Sequence, residues 1–148
     1  MTAIISFLEG RGVDDAGRLI GDVWRFDEGD LERGHDFIQW LFPLPEPSLA
    51  VPGSPILSEA EVAVVRASPA AQEALIRSAK IMAQFYETND HWLRPRNHNH
   101  LRITRIIKSL RLLVDDAAAD QFREHILAKV TDRQAAVGSD TWRYWSKA

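Results

Sequence analysis

Three of the five histidines, His91, His98 and His100, lie close together, two of them inside the run Asn97-His98-Asn99-His100. Imidazoles are metal ligands and general acid–base groups, so this run is the first place to look for chemistry. Two positions apart on a helix, His98 and His100 point about 200° away from each other and share no metal there. A His91–His98–His100 site would require the preceding loop to fold back. A nuclease of the His-Asn-His type needs a strand-rich metal finger, which this pattern does not offer. There is no cysteine, which removes thiolate catalysis, cysteine zinc sites and disulfides. The chain also lacks a Gly-x-Ser-x-Gly turn, a phosphate-binding glycine loop and a His-Glu-x-x-His pair. The clustered acids Asp27, Glu28 and Asp30 are explained by turn and capping duties. The expectation is a protein that is not an enzyme, with no catalytic residue, metal or cofactor. A hydrolase using the groups at 97–100 is the least favoured reading.

The basic residues offer a different chemistry. Between His91 and Val114 there is no acid, but there are Arg94, Arg96, Arg102, Arg105, Lys108 and Arg111. The first 33 residues instead carry eight acids, and the net charge is −3. That total does not describe a general nucleic-acid binder, although the chain is locally polarised. On a helix, Arg102, Arg105, Lys108 and Arg111 drift about 60° per step and cover half the circumference, opposite an isoleucine face. Such an arc is either a solvated face paired with the acidic N-terminal third or an anion site, with Arg94, Arg96, Lys108 and Arg111 as its candidates. His35 and Trp40 fall on the apolar side of an earlier helical pattern. There a buried, hydrogen-bonded histidine and a core tryptophan are the plain readings, and a cleft ligand and a stacking platform the functional ones.

Helices must position all of these groups. Apolar spacing predicts a helix over Asp14–Arg25, with Asp14 and Asp15 in its first turn, and a second over Asp30–Phe42. Pro43, Pro45 and Pro47 then force an extended connection that lasts to Leu57. It either docks an SH3-like partner or, as its flanking apolar residues favour, packs over the domain's own core. Ser58 and Glu61 form a capping box opening a short helix through Val65, and Ser68-Pro69 starts a long one through Tyr86. A loop spans Asn89–Asn97, with Asn97 or Asn99 as N-cap of the next helix, Asn99–Val114. Further helices are predicted over Asp116–Val137, ended by Gly138, and after Ser139-Asp140, bearing Trp142 and Trp145. Nothing alternates as a strand does. At 148 residues, 45% hydrophobic and 26% charged, this is one all-α domain over 1–148. It reads as a helical bundle of about six to seven helices with a long proline-containing connection. The N-terminus lacks the basic start of a secretory signal, and no apolar run is long enough to span a membrane. A cytoplasmic location is therefore expected.

Two segments also carry a family resemblance. Leu31-Glu32-Arg33-Gly34-His35-Asp36-Phe37-Ile38-Gln39-Trp40-Leu41-Phe42-Pro43-Leu44-Pro45-Glu46-Pro47-Ser48 and Asn97-His98-Asn99-His100-Leu101-Arg102-Ile103-Thr104-Arg105-Ile106-Ile107-Lys108-Ser109-Leu110 resemble the signature blocks of the opioid growth factor receptor conserved region. Between them, Glu73-Ala74-Leu75 to Phe85-Tyr86 resembles the family's central helix. The resemblance runs from about Phe7 to Leu113. It implies kinship with longer animal proteins described as receptors for an enkephalin pentapeptide, associated with the nucleus and with restraint of cell growth. The expectation is thus a non-catalytic module that binds a peptide or protein ligand in a groove lined by His35, Trp40, Asn97, His98, His100, Arg102 and Arg105. The alternative is nucleic-acid or phosphate-ligand binding through the basic helix at 99–114.

Overall fold

A computed structural model describes residues 2–148. The described residues form nine helices and no strand, so the all-α reading holds. Their contacts gather into two compact units that divide after Ser78.

The N-terminal unit begins with α1 (Ala3–Leu8), capped by the Thr2 hydroxyl and burying Ile4, Ile5, Phe7 and Leu8. This helix lay outside the predicted pattern because its apolar run is only two turns long. The helix expected over Asp14–Arg25 is shorter, α2 (Ile20–Trp24). The reason is local. Asp14 turns its carboxylate onto the N–H groups of Ala16 and Arg18, both at 2.9 Å, and Gly17 adopts φ +77. A short polar side chain that satisfies nearby backbone donors competes with helix formation, and a left-handed glycine ends any continuation.

The helix expected over Asp30–Phe42 is two helices, α3 (Glu28–Arg33) and α4 (Ile38–Leu41). Asp27 and Asp30 cap the first reciprocally, at 2.7 and 3.2 Å. Gly34 then leaves helical geometry with ψ 134. A Cβ on Gly34 would lie 2.9 Å from the Phe37 ring and 3.0 Å from the Asp30 carbonyl, so the break requires glycine. His35 consequently lies in the break and is exposed, not on the apolar face of a helix. Trp40 is core as the plain reading had it. It is 5% exposed and meets Phe7 edge-to-face at 5.4 Å.

The proline connection packs Leu44 and Leu57 inward and closes through a Leu57 N–H to Leu44 carbonyl bond of 3.0 Å. Pro45, Glu46 and Pro47 face outward. In α5 (Glu59–Ala67), Ser58 and Glu61 exchange the capping-box bonds at 3.0 and 3.1 Å. The long helix α6 (Pro69–Thr88) starts where predicted, with Ser68 Oγ accepting from Ala71 N–H. The Ser68 hydroxyl also donates to Glu9 at 2.6 Å, which with Arg11 holds that carboxyl below its usual range.

The C-terminal unit contains the end of α6, then α7 (Asn99–Leu113), α8 (Asp116–Asp132) and α9 (Ser139–Lys147). The predicted apolar face of α7 is fully buried through Ile103, Ile106, Ile107, Leu110 and Leu113. The chain leaves α8 at Asp132, short of Val137, because Gln134 takes a positive φ of 49. Gly138 does not end α8. It is the N-cap of α9, with Ser139 and Asp140 as that helix's first residues. The Gly138 N–H donates to the Pro95 carbonyl at 3.0 Å, and a Cβ there would meet that oxygen at 2.9 Å. Glycine thus lets α9 seat against the loop before α7.

Candidate recognition site

The Asn97–His100 run forms an internal polar network rather than an open cluster. Asn97 Oδ1 accepts from the Asn99 N–H at 2.9 Å and from Asn99 Nδ2 at 3.0 Å, so its side chain caps the first turn of α7. Asn99 is fully buried, and its Oδ1 accepts from the Tyr86 hydroxyl at 3.1 Å. His100 is also buried. Its Nε2 lies 2.8 Å from the Trp92 carbonyl and its Nδ1 3.2 Å from Thr141 Oγ1. A carbonyl can only accept, which assigns the proton of neutral His100 to Nε2 and leaves Nδ1 to accept from the threonine. The Trp145 indole donates to the His100 carbonyl at 3.2 Å and packs edge-on against the imidazole at 5.4 Å. His100 therefore fastens α7, α9 and the Trp92 loop together.

Burial disfavours the charged imidazolium and lowers the His100 pKa. The Trp92 carbonyl opposes that shift, and His98 adds to it. The unfolded chain therefore binds the proton more readily than the folded one, near the ordinary histidine value of 6.5. Stability contributed by neutral His100 is full above that value and is lost as pH falls through and below it. Thermal unfolding should show a midpoint that drops on acidification from about pH 7.5, above the ordinary histidine range, with a shallower drop in His100→Gln. An unchanged slope in the variant would assign the loss to other groups.

The basic arc of α7 is largely engaged. Arg102 is 8% exposed, and Arg102, Arg105 and Lys108 each have an interaction partner. Arg111 donates to Asp116 at 2.9 Å, to Asp120 at 2.7 Å and to the Ala148 carbonyl at 2.6 Å. Arg94 and Arg96, by contrast, are exposed and make no ion pair among the described residues. His98 is exposed at the N-cap of α7. No group of three or more His, Asp or Glu side chains that could hold a metal ion forms among the described residues.

The residues singled out from the sequence divide between the units. Asn97, His98, His100, Arg102 and Arg105 belong to the C-terminal one, and His35 and Trp40 to the N-terminal one. Beside Trp40 the N-terminal unit has a shallow cavity of about 70 Å3. Three stretches line it: Asp15, Ala16 and Arg18 from the turn before α2, Asp36 and Trp40 from around α4, and Val51-Pro52-Gly53-Ser54 from the connection. Arg18 Nε donates to Asp14 at 2.7 Å and its terminal nitrogen to Asp36 at 3.0 Å, which fixes the rim. Gly53 turns the connection with φ +84. Sequence reading missed this cavity, since its lining comes from three segments that share no periodicity.

The described residues are all-helical apart from their connections, with a buried asparagine and histidine in the framework of the C-terminal unit and a small concave surface on the N-terminal one. The chain belongs to the opioid growth factor receptor family, whose conserved region matches residues 18–147. It is 36% identical over 115 residues to the opioid growth factor receptor of Rattus norvegicus, covering 64% of this chain and 20% of the relative. The Homo sapiens receptor is 38% identical over 115 residues, covering 64% and 17%. Opioid growth factor receptor-like protein 1 of Xenopus tropicalis is 34% identical over 104 residues, covering 59% and 20%. The chain thus spans about a fifth of the length of these curated relatives. No solved structure matches.

Proposed function

We propose that the chain is a non-catalytic recognition module that binds a peptide ligand. The observation that carries this reading is the family match over residues 18–147, with relatives named as receptors. The side-chain chemistry supports it. The groups that would serve a hydrolase at 97–100 are spent on the framework, since Asn99 and His100 are buried and hydrogen-bonded on both sides. In this proposal Asn97, His100 and Arg102 hold the scaffold. Trp40 walls the cavity that takes the ligand, with exposed His35 in the same unit, and His98 and Arg105 remain candidates in the other. Isothermal calorimetry with an enkephalin-type pentapeptide is expected to give saturable heat, reduced by Trp40→Phe. The absence of heat at millimolar peptide would overturn the pentapeptide version.

A second reading, anion or nucleic-acid binding, is favoured only by exposed Arg94 and Arg96, because the other cations of this region are buried or paired. It expects an affinity for oligonucleotide that falls steeply with salt and disappears in the double substitution Arg94→Ala and Arg96→Ala.

A further inference from the structure

We infer that the cavity beside Trp40 is a cation subsite, taking the guanidinium or ammonium group of a bound peptide. The inference deepens the peptide reading, on which it rests, by naming the ligand group this surface accepts.

Charge is the first support. The lining holds two carboxylates, Asp15 and Asp36, and one guanidinium, Arg18. Arg18 is already spent, bridging Asp14 at 2.7 Å and Asp36 at 3.0 Å, with its guanidinium 5.5 Å from the Phe26 ring centre. Its positive charge is thereby balanced by two carboxylates, so it offers an incoming anion little net attraction even though N–H donors remain. Asp36 uses one oxygen on Arg18, and Asp15 makes no ion pair among the described residues. An incoming cation would meet the remaining carboxylate oxygens.

Hydrogen bonding is the second, independent support. Half-buried Ser54 is one of the lining residues, and its buried Oγ has no hydrogen-bond partner among the described residues. Gln39, beside Trp40 in sequence but not part of the lining, is more than nine-tenths buried, and its Oε1 is likewise without a partner. Its amide nitrogen donates to Ser48 Oγ at 3.4 Å, which ties it to the base of the same loop. Buried polar atoms of this kind are uncommon in folded proteins and mark places where a donor is expected. Trp40 adds a third element, because an indole beside a carboxylate-rimmed hollow attracts a cation through its ring quadrupole. Water would satisfy Ser54 and hydrate the carboxylates as well, but it leaves their excess negative charge uncompensated, which a cation does not.

One titration decides between these fillings. Amide and indole NMR shifts of the whole chain would be followed with N-acetyl-arginine amide, its neutral isostere N-acetyl-citrulline amide, glycyl-glycinamide and acetate. The expected result is saturable shifts at Asp15, Asp36, Gly53, Ser54 and the Trp40 indole with a cationic probe, and none with citrulline. A response to the arginine compound assigns a side-chain cation, and one to glycyl-glycinamide assigns a chain amino terminus. Asp15→Asn, at an exposed position, should weaken binding by about twofold to fivefold, as for one partly exposed charge pair. Ser54→Ala should weaken it too. Equal shifts from citrulline, stronger shifts from acetate, or no shifts at these residues would overturn the inference. Because the probes are blocked single residues and a dipeptide, the result stands whether or not the pentapeptide binds.

Discussion

Replacing Lys129 with methionine is expected to destabilise the protein by about 1–3 kcal/mol, the scale for leaving a buried carbonyl without its donor. Lys129 interrupts the apolar face of α8 between Ile126 and Val130, and its side chain is only 6% exposed. Its ammonium donates to the carbonyls of Tyr86, Glu87 and Asn89, the first two of them in the last turn of α6. It also lies 2.9 Å from the Asp90 carboxylate, which it holds below the usual carboxylate range. Helix ends leave carbonyls without intrahelical donors; those of Tyr86 and Asn89 keep the Trp92 indole as a donor, and burying the Glu87 carbonyl unsatisfied costs roughly 1–3 kcal/mol. Methionine matches the stem of lysine but offers none of the donors. Urea unfolding monitored by circular dichroism measures the loss. A change under about 1 kcal/mol, typical of an exposed surface pair, would show that solvent replaces the ammonium without penalty. Since whole domains are stable by only about 5–15 kcal/mol, the expected loss is a large fraction of the total.

Trp92→Ala should be more severe, about 3–5 kcal/mol, as for other large-to-alanine changes in cores. Trp92 is fully buried in the loop between α6 and α7. Its ring meets Tyr86 at 5.4 Å and Trp145 at 6.4 Å, both edge-on. Its indole N–H is shared between the Tyr86 carbonyl at 3.0 Å and the Asn89 carbonyl at 2.8 Å. These two oxygens are also acceptors for Lys129. Tryptophan and lysine therefore cap one helix end together. Their effects should be non-additive, with the double variant more destabilised than the two single losses combined, because only it leaves both oxygens without either donor. Additive losses within about 0.3–0.5 kcal/mol, the scatter expected of independent sites, would mean the shared acceptors carry no coupling. Trp92→Phe retains the packing and loses the donor, so it separates the two contributions.

The elements most legible in the sequence are those whose signals are local. Ser58 and Glu61 announce α5 because a capping box needs only four residues, and both bonds form. Ser68-Pro69 fixes the start of α6 in the same way. The α7 stripe was readable because its isoleucines and leucines recur at three- and four-residue steps from Ile103 to Leu113. Where the outcome depended on competition, the pattern misled. Asp14 and Gly17 shorten α2 by diverting backbone donors into a turn. Gly34 splits one expected helix into α3 and α4, which moves His35 from an apolar face into solvent.

Half of the site was legible. Asn97 or Asn99 was the expected N-cap, but that position falls on His98, and Asn97 reaches the first turn from one residue further out. His100 stands three and seven residues before Ile103 and Ile107, so its place on the buried stripe was available in the spacing. Its partners Trp92 and Thr141 were not, because they sit eight and forty-one positions away. Lys129 gave one signal, a lone charge within an apolar stripe. The Trp40 cavity gave none, since segments at 15–18, 36–40 and 51–54 meet only in three dimensions.

Hydrogen–deuterium exchange of the whole chain, with and without saturating enkephalin-type pentapeptide, tests the recognition account most directly. The predicted result is slowed exchange at 15–18, 36–40 and 51–54, with the amides of 99–107 protected to the same degree in both states. Identical exchange along the entire chain would contradict it.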